Sequence, residues 1–167
     1  AKLKEFLQTQ GFKFVSDTDT EVVAHLVEYH FKGDLAKAVT DTMNELEGSY
    51  ALGVICKDCP DVLVAAKKDS PLVIGIGKGE NFIASDISAI LEYTKDIFIL
   101  EDKEIAVVDK DGARISTSLG LEVERDIFHV DWDIAAAEKS GFEHFMIKEM
   151  FEEPKVIRDT MNPRIKD

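Results

Sequence analysis

At 167 residues with 45% hydrophobic content, the chain is long enough to form one domain with a sizeable core. Twenty Lys and Arg against 33 Asp and Glu leave a net charge of −13, which repels phosphate backbones and anionic membrane surfaces and argues against nucleic acid as a partner. No apolar run reaches the roughly 20 residues that span a bilayer, the opening AKLKEFLQTQ lacks the apolar stretch of a secretory signal, and two cysteines are too few for a disulfide framework. No membrane contact and a cytoplasmic setting are expected.

Leu3, Phe6 and Leu7 share one helical face within residues 2–10, and Gly11 stands where a left-handed residue ends a helix. Phe12 to Val15 reads as a short strand. Thr18 with Glu21 three residues later forms a capping box ahead of Val22, Val23, Leu26 and Val27, which predicts a second helix. Asp34 caps a third, with Leu35, Ala38, Val39, Met43 and Leu46 at helical spacing and Gly48 closing it.

From Ser49 the period changes. YALGVIC, DVLVAA, PLVIGIG, NFIAS, DIFIL and EIAVVD are short, rich in Val and Ile, and separated by polar or Gly/Pro punctuation. Several are apolar at consecutive positions, as expected of strands covered on both faces, so an antiparallel sheet inside a layered domain is predicted. Asp109-Lys110-Asp111-Gly112 reads as a hairpin turn, with Asp-Gly supplying a positive φ. After a polar stretch holding the only tryptophan, Trp132, helical character returns over 142–151, and Pro154 permits a new helical start over 155–161. This places a domain over 1–141 and a charged helical connector over 142–167.

Four motifs carry candidate chemistry. Gly75-Ile76-Gly77-Lys78-Gly79 lacks the Gly-Lys-Ser/Thr ending of a phosphate loop and precedes a strand, so a glycine-rich strand and turn is expected. Cys56-Lys57-Asp58-Cys59 has no second ligand pair at zinc spacing and ends a strand, so two free thiols are expected. His25, His30, His129 and His144 are scattered, and the i, i+5 spacing of the first two does not set them on one face, so no metal site is expected. The densest polar cluster, Ser16-Asp17-Thr18-Asp19-Thr20-Glu21, sits at a helix N-terminus. There Asp19 either complements the helix dipole or projects into a cleft to take a ligand ammonium group. Spacing does not choose between them.

The segment F-V-S-D-T-D-T-E-V-V-A-H-L at 14–26 resembles the glutamine-binding stretch of class II, N-terminal nucleophile amidotransferases. S-P-L-V-I-G-I-G-K-G-E-N-F-I-A-S-D at 70–86 and H-F-M-I-K-E-M-F-E-E-P at 144–154 resemble the glucosamine-6-phosphate synthase family, with Phe151 and Glu153 where tyrosine and glutamine are expected. The resemblance runs from Ala1 to about Arg164 and implies an α+β fold, a four-layer αββα sandwich of the N-terminal nucleophile hydrolase type, incomplete at the N-terminus. It implies that Asp19 binds the substrate's α-amino group. It also implies that the nucleophilic cysteine is absent, because the family's catalytic Cys carries a free α-amine that neither Cys56 nor Cys59 has. The implied activity of the complete enzyme is glutamine hydrolysis with ammonia passed to a sugar isomerase domain, absent here, that converts fructose 6-phosphate to glucosamine 6-phosphate. No cofactor and no metal are implied, a homo-oligomeric full-length enzyme is expected, and this chain alone is expected to be inactive. The rivals are another class II amidotransferase, or a non-catalytic amino-acid-binding domain on the same scaffold.

Overall fold

A computed structural model describes residues 2–131, 141–162 and 164, and the chain divides into two units, Ala1–Val130 and Asp131–Asp167. The first unit begins with three helices, α1 (Lys2–Thr9), α2 (Thr20–His30) and α3 (Leu35–Glu45). Nine strands follow: β1 (Tyr50–Cys56), β2 (Cys59–Lys68), β3 (Val73–Ile76), β4 (Asn81–Ala84), β5 (Asp96–Ile99), β6 (Glu104–Asp109), β7 (Gly112–Thr117), β8 (Glu122–Val123) and β9 (Phe128–His129). They form two antiparallel sheets, in the orders β1-β2-β6-β7-β8 and β4-β3-β5-β9.

The consecutive apolar positions of the central strands are explained by burial on both faces. Val64 and Ala66 of β2 and Ile105 of β6 point at Val27 of α2 and at Leu35, Ala38, Val39 and Met43 of α3. Their sequence neighbours Ala65 and Ala106, and Val108 further along β6, point the other way and pack with Ile115 against Leu72, Ile74 and Leu100. Because side chains alternate along a strand, each apolar run serves two cores at once. Full burial of one such Val, Leu or Ile side chain contributes about 1.5–3 kcal/mol. Ala65 pairs directly with Ala106, and these small side chains lie where the two sheets face each other.

The outer face of the second sheet is covered by the chain between β4 and β5. A 3-10 turn (Ile87–Ala89) runs into the buried Ile90 and Leu91. A Cβ placed on Gly75 would lie 2.8 Å from Ile90 Cδ1 and 2.8 Å from Thr94 Cγ2, so this segment rests on the strand backbone itself. Phe82 stacks on Tyr93 at 5.1 Å between ring centroids. Helices, sheet and sheet make three layers of the expected α+β sandwich, and this short segment lies where the fourth layer belongs.

In the first unit one local expectation changes and another holds. Residues 12–15 form no strand; Phe12 and Phe14 instead turn onto His25 of α2, at 5.1 and 4.7 Å between ring centroids, and no strand pairs with their backbone. The expected hairpin joins β6 to β7, with Lys110 and Asp111 at its two central positions. Gly112 carries the positive φ, +156°, and the Asp109 carboxylate holds the turn by accepting from the amides of Asp111 (2.8 Å) and Gly112 (3.1 Å), an Asx arrangement.

Among the described residues of the second unit is one helix, α4 (Phe145–Met161), which runs through Pro154 rather than restarting after it. Pro removes a single N–H from the ladder, and the neighbouring turns carry the helix across: Arg158 Nε donates to the Pro154 carbonyl at 3.0 Å. Phe142 stacks on Phe151 at 5.5 Å. Trp132 lies outside the described residues.

Candidate functional site

Asp19 is the residue before the first turn of α2, with helical φ and ψ of −68° and −28°, and its side chain makes no capping hydrogen bond. Asp34, the corresponding residue of α3, behaves oppositely: it is extended, and its carboxylate accepts from the Lys37 amide at 3.0 Å. Of two aspartates at helix starts, one caps and the other leaves its carboxylate exposed to solvent.

That carboxylate opens into a cleft of about 550 Å³ between α1, the start of α2 and the segment joining α3 to β1. Lys2, Asp19, Val22, Val23, Glu47 and Tyr50 are among its walls. The volume falls in the range of small-molecule sites. Both signs of charge and an apolar wall suit a zwitterion with an aliphatic side chain.

Within the capping box expected at this helix start, Glu21 has a different partner. Its carboxylate passes over Thr18 and accepts from the amides of Val15 and Ser16, both at 2.8 Å, and from the Ser16 hydroxyl at 2.6 Å. The bends at Ser16 and Asp17 fold the loop back, so the amides that meet the Glu21 carboxylate lie five and six residues upstream. The Ser16 hydroxyl, followed by the Val15 amide, holds the Glu21 carboxyl down from 4.5 to about 2. No sequence rule signals this role, since a helix-start glutamate reads first as a capping partner.

The remaining candidates are accounted for as packing or surface groups. Cys56 and Cys59 are free thiols facing each other across the β1–β2 turn, and burial pushes the Cys59 thiol up, away from the reactive thiolate. Gly75 and Ile76 belong to β3, and the turn after them is closed by the Gly77 amide, which donates to the Glu80 carbonyl (3.1 Å) and to Asn81 Oδ1 (3.2 Å). His25 lies between Phe12 and Phe14, His30 meets Glu45 at 2.7 Å, and His129 meets Asp96 at 2.6 Å. Among the described residues no group of three or more His, Cys, Asp or Glu could hold a metal ion, and no helix is long and apolar enough to cross a membrane.

Asp19 thus stands uncapped at a helix start beside a cleft of about 550 Å³. The family profile described as "Glutamine amidotransferase domain" matches residues 1–92, and the chain belongs to that family. Over 98% of its length the chain is 52% identical to the glutamine–fructose-6-phosphate aminotransferase (isomerizing) of Clostridium tetani and 53% identical to that of Caldanaerobacter subterraneus subsp. tengcongensis. It is 46% identical over 99% of its length to the enzyme of the same name from Thermotoga maritima. The chain spans 27% of the length of each of these relatives.

Among solved structures, the glutamine phosphoribosylpyrophosphate amidotransferase of B. subtilis matches 70% of the chain with a TM-score of 0.61 at 24% identity, over 26% of its own length. A structure described as the allosteric regulatory enzyme of purine biosynthesis matches 70% with a TM-score of 0.59 at 25% identity, over 25% of its own length. The sandwich is therefore the amidotransferase fold of the N-terminal nucleophile type, as the sequence resemblance implies.

Proposed function

We propose that this chain is glutaminase machinery of a glutamine–fructose-6-phosphate aminotransferase (isomerizing), which hydrolyses glutamine and transfers the ammonia to fructose 6-phosphate to make glucosamine 6-phosphate. The observation that carries this is identity of 46–53% over at least 98% of the chain with enzymes of that name. Asp19 is the substrate-holding residue: its carboxylate, unused by the helix, takes the α-ammonium of glutamine by a charge-assisted hydrogen bond. Val22 and Val23 supply apolar wall in the same cleft.

The reacting thiol is assigned to neither Cys56 nor Cys59. Both sit at a strand turn packed on the helix-facing core, neither carries a free α-amine, and burial disfavours the Cys59 thiolate. This chain supplies the part of the site that grips substrate. Residues 1–141 form the amidotransferase part and 142–167, mostly α4, the connector to a sugar isomerase domain, in a cytoplasmic, homo-oligomeric full-length enzyme. The solved phosphoribosylpyrophosphate amidotransferase would favour a different amidotransferase activity, but its 24% identity is less than half the 52% shared with the aminotransferase of Clostridium tetani.

The test is an assay of the full-length enzyme for glutamate and glucosamine 6-phosphate from glutamine and fructose 6-phosphate, beside the 167-residue chain alone. Product is expected from the former and none from the latter. A full-length enzyme that makes no glucosamine 6-phosphate refutes the assignment. Glutamine turnover by the chain alone refutes its restriction to substrate holding.

A further inference from the structure

We propose that Glu21 is a positioning residue for glutamine capture, tethering the loop that delivers Asp19; this rests on the function proposed above. Both Glu21 oxygens are committed upstream, to the Val15 amide, the Ser16 amide and the Ser16 hydroxyl. The tether then passes along the loop, because the Ser16 hydroxyl also lies 2.8 Å from the Thr18 hydroxyl and 3.4 Å from the Thr18 amide. Asp19 follows directly, and the Asp19 carbonyl accepts from the Val22 amide at 3.1 Å. The segment Ser16–Asp19 is thus fixed at both ends, by a carboxylate at one and by the first helical bond at the other.

A helix cap would satisfy the orphan amides at the start of α2. Glu21 bonds none of these, so its bonds shape the loop. The carboxylate is only 13% exposed, backed by His25 Nε2 at 3.6 Å, and His25 is itself held between the rings of Phe12 and Phe14, with Glu28 3.7 Å from its other nitrogen. Lys4 lies over the Phe14 ring at 4.9 Å. Bonds to an ionised acceptor are short and roughly twice as strong as neutral ones, which suits a rigid tether. Glutamine in place of Glu21 keeps the shape but turns an NH2 toward a donor amide, so one backbone bond is lost and two donors face each other.

The test uses the full-length enzyme with Glu21→Gln, Glu21→Ala, Ser16→Ala, Asp19→Ala and the Asp19→Ala/Glu21→Ala double variant. The glutamine KM is expected to rise about tenfold or more in both Glu21 variants, by less in Ser16→Ala, with kcat held within about threefold. In the Asp19→Ala background Glu21→Ala is expected to add little, since two residues acting through one contact are not additive. A merely structural role lowers the active fraction, and therefore kcat, at unchanged KM. That result, or additive effects of Asp19→Ala and Glu21→Ala, overturns the tether while leaving the proposed function standing. A wild-type enzyme without glutamine-dependent activity overturns both.

Discussion

Asp19→Ala separates the two roles open to this residue, because they predict opposite patterns in two measurements. If Asp19 were a cap, removing it would reduce stability by about 1 kcal/mol, the usual loss at such positions. The carboxylate makes no capping bond, so only its interaction with the helix dipole is lost, about 0.3 kcal/mol for an exposed group. If it holds the glutamine ammonium, the lost charge-assisted bond is worth about 1.5–3 kcal/mol, or about 10- to 150-fold in affinity. Because Asp19 is exposed in the open cleft, solvent screening places the effect toward the lower end of that range. Urea denaturation gives the stability, and the glutamine KM of the full-length enzyme gives the capture. A stability loss of about 1 kcal/mol or more with an unchanged KM refutes the reasoning and makes Asp19 a helix cap.

Asp34→Ala serves as the opposite control: the bond to the Lys37 amide is lost, urea denaturation should show about 1 kcal/mol less stability, and Asp34→Ser should recover most of it. Leu26→Ala truncates a fully buried side chain of α2 and should cost about 2–5 kcal/mol in the same experiment; a loss under 1 kcal/mol would mean the helix layer is not packed as described. The depressed Glu21 carboxyl sets a pH window. Its folded value, about 2, lies below the ordinary 4.5, so the tether's contribution is fully present above about 4.5 and is lost as pH falls through about 2. The Val15 and Ser16 amide resonances should therefore titrate together with a midpoint near 2, and a midpoint near 4.5 would show that Glu21 does not bond them.

Local pattern was enough for the elements whose partners are close in sequence. The cap at Asp34, the stop at Gly11 with φ of +93°, and the burial of β2 and β6 on both faces follow from residues three or four apart and from runs of consecutive apolar positions. The family was legible too, because three long stretches carry it. The helix running through Pro154 and the irregular segment at 12–15 were not, since neighbouring turns and the ring of His25 decide them.

At Asp19 the division is sharpest. The sequence by itself determined that an acidic, hydroxyl-rich loop enters a helix, and that either capping or ligand binding could use it. Only the tertiary structure decided how two of its carboxylates, Asp19 and Glu21, differ. Glu21 is drawn back to Val15 and Ser16 by a loop that folds on itself, and Asp19 is left facing a cleft whose other walls come from α1 and from the chain leading into β1. A hydrogen bond follows distance in space, and in a folded loop the nearest donor need not be the one that spacing along the chain selects.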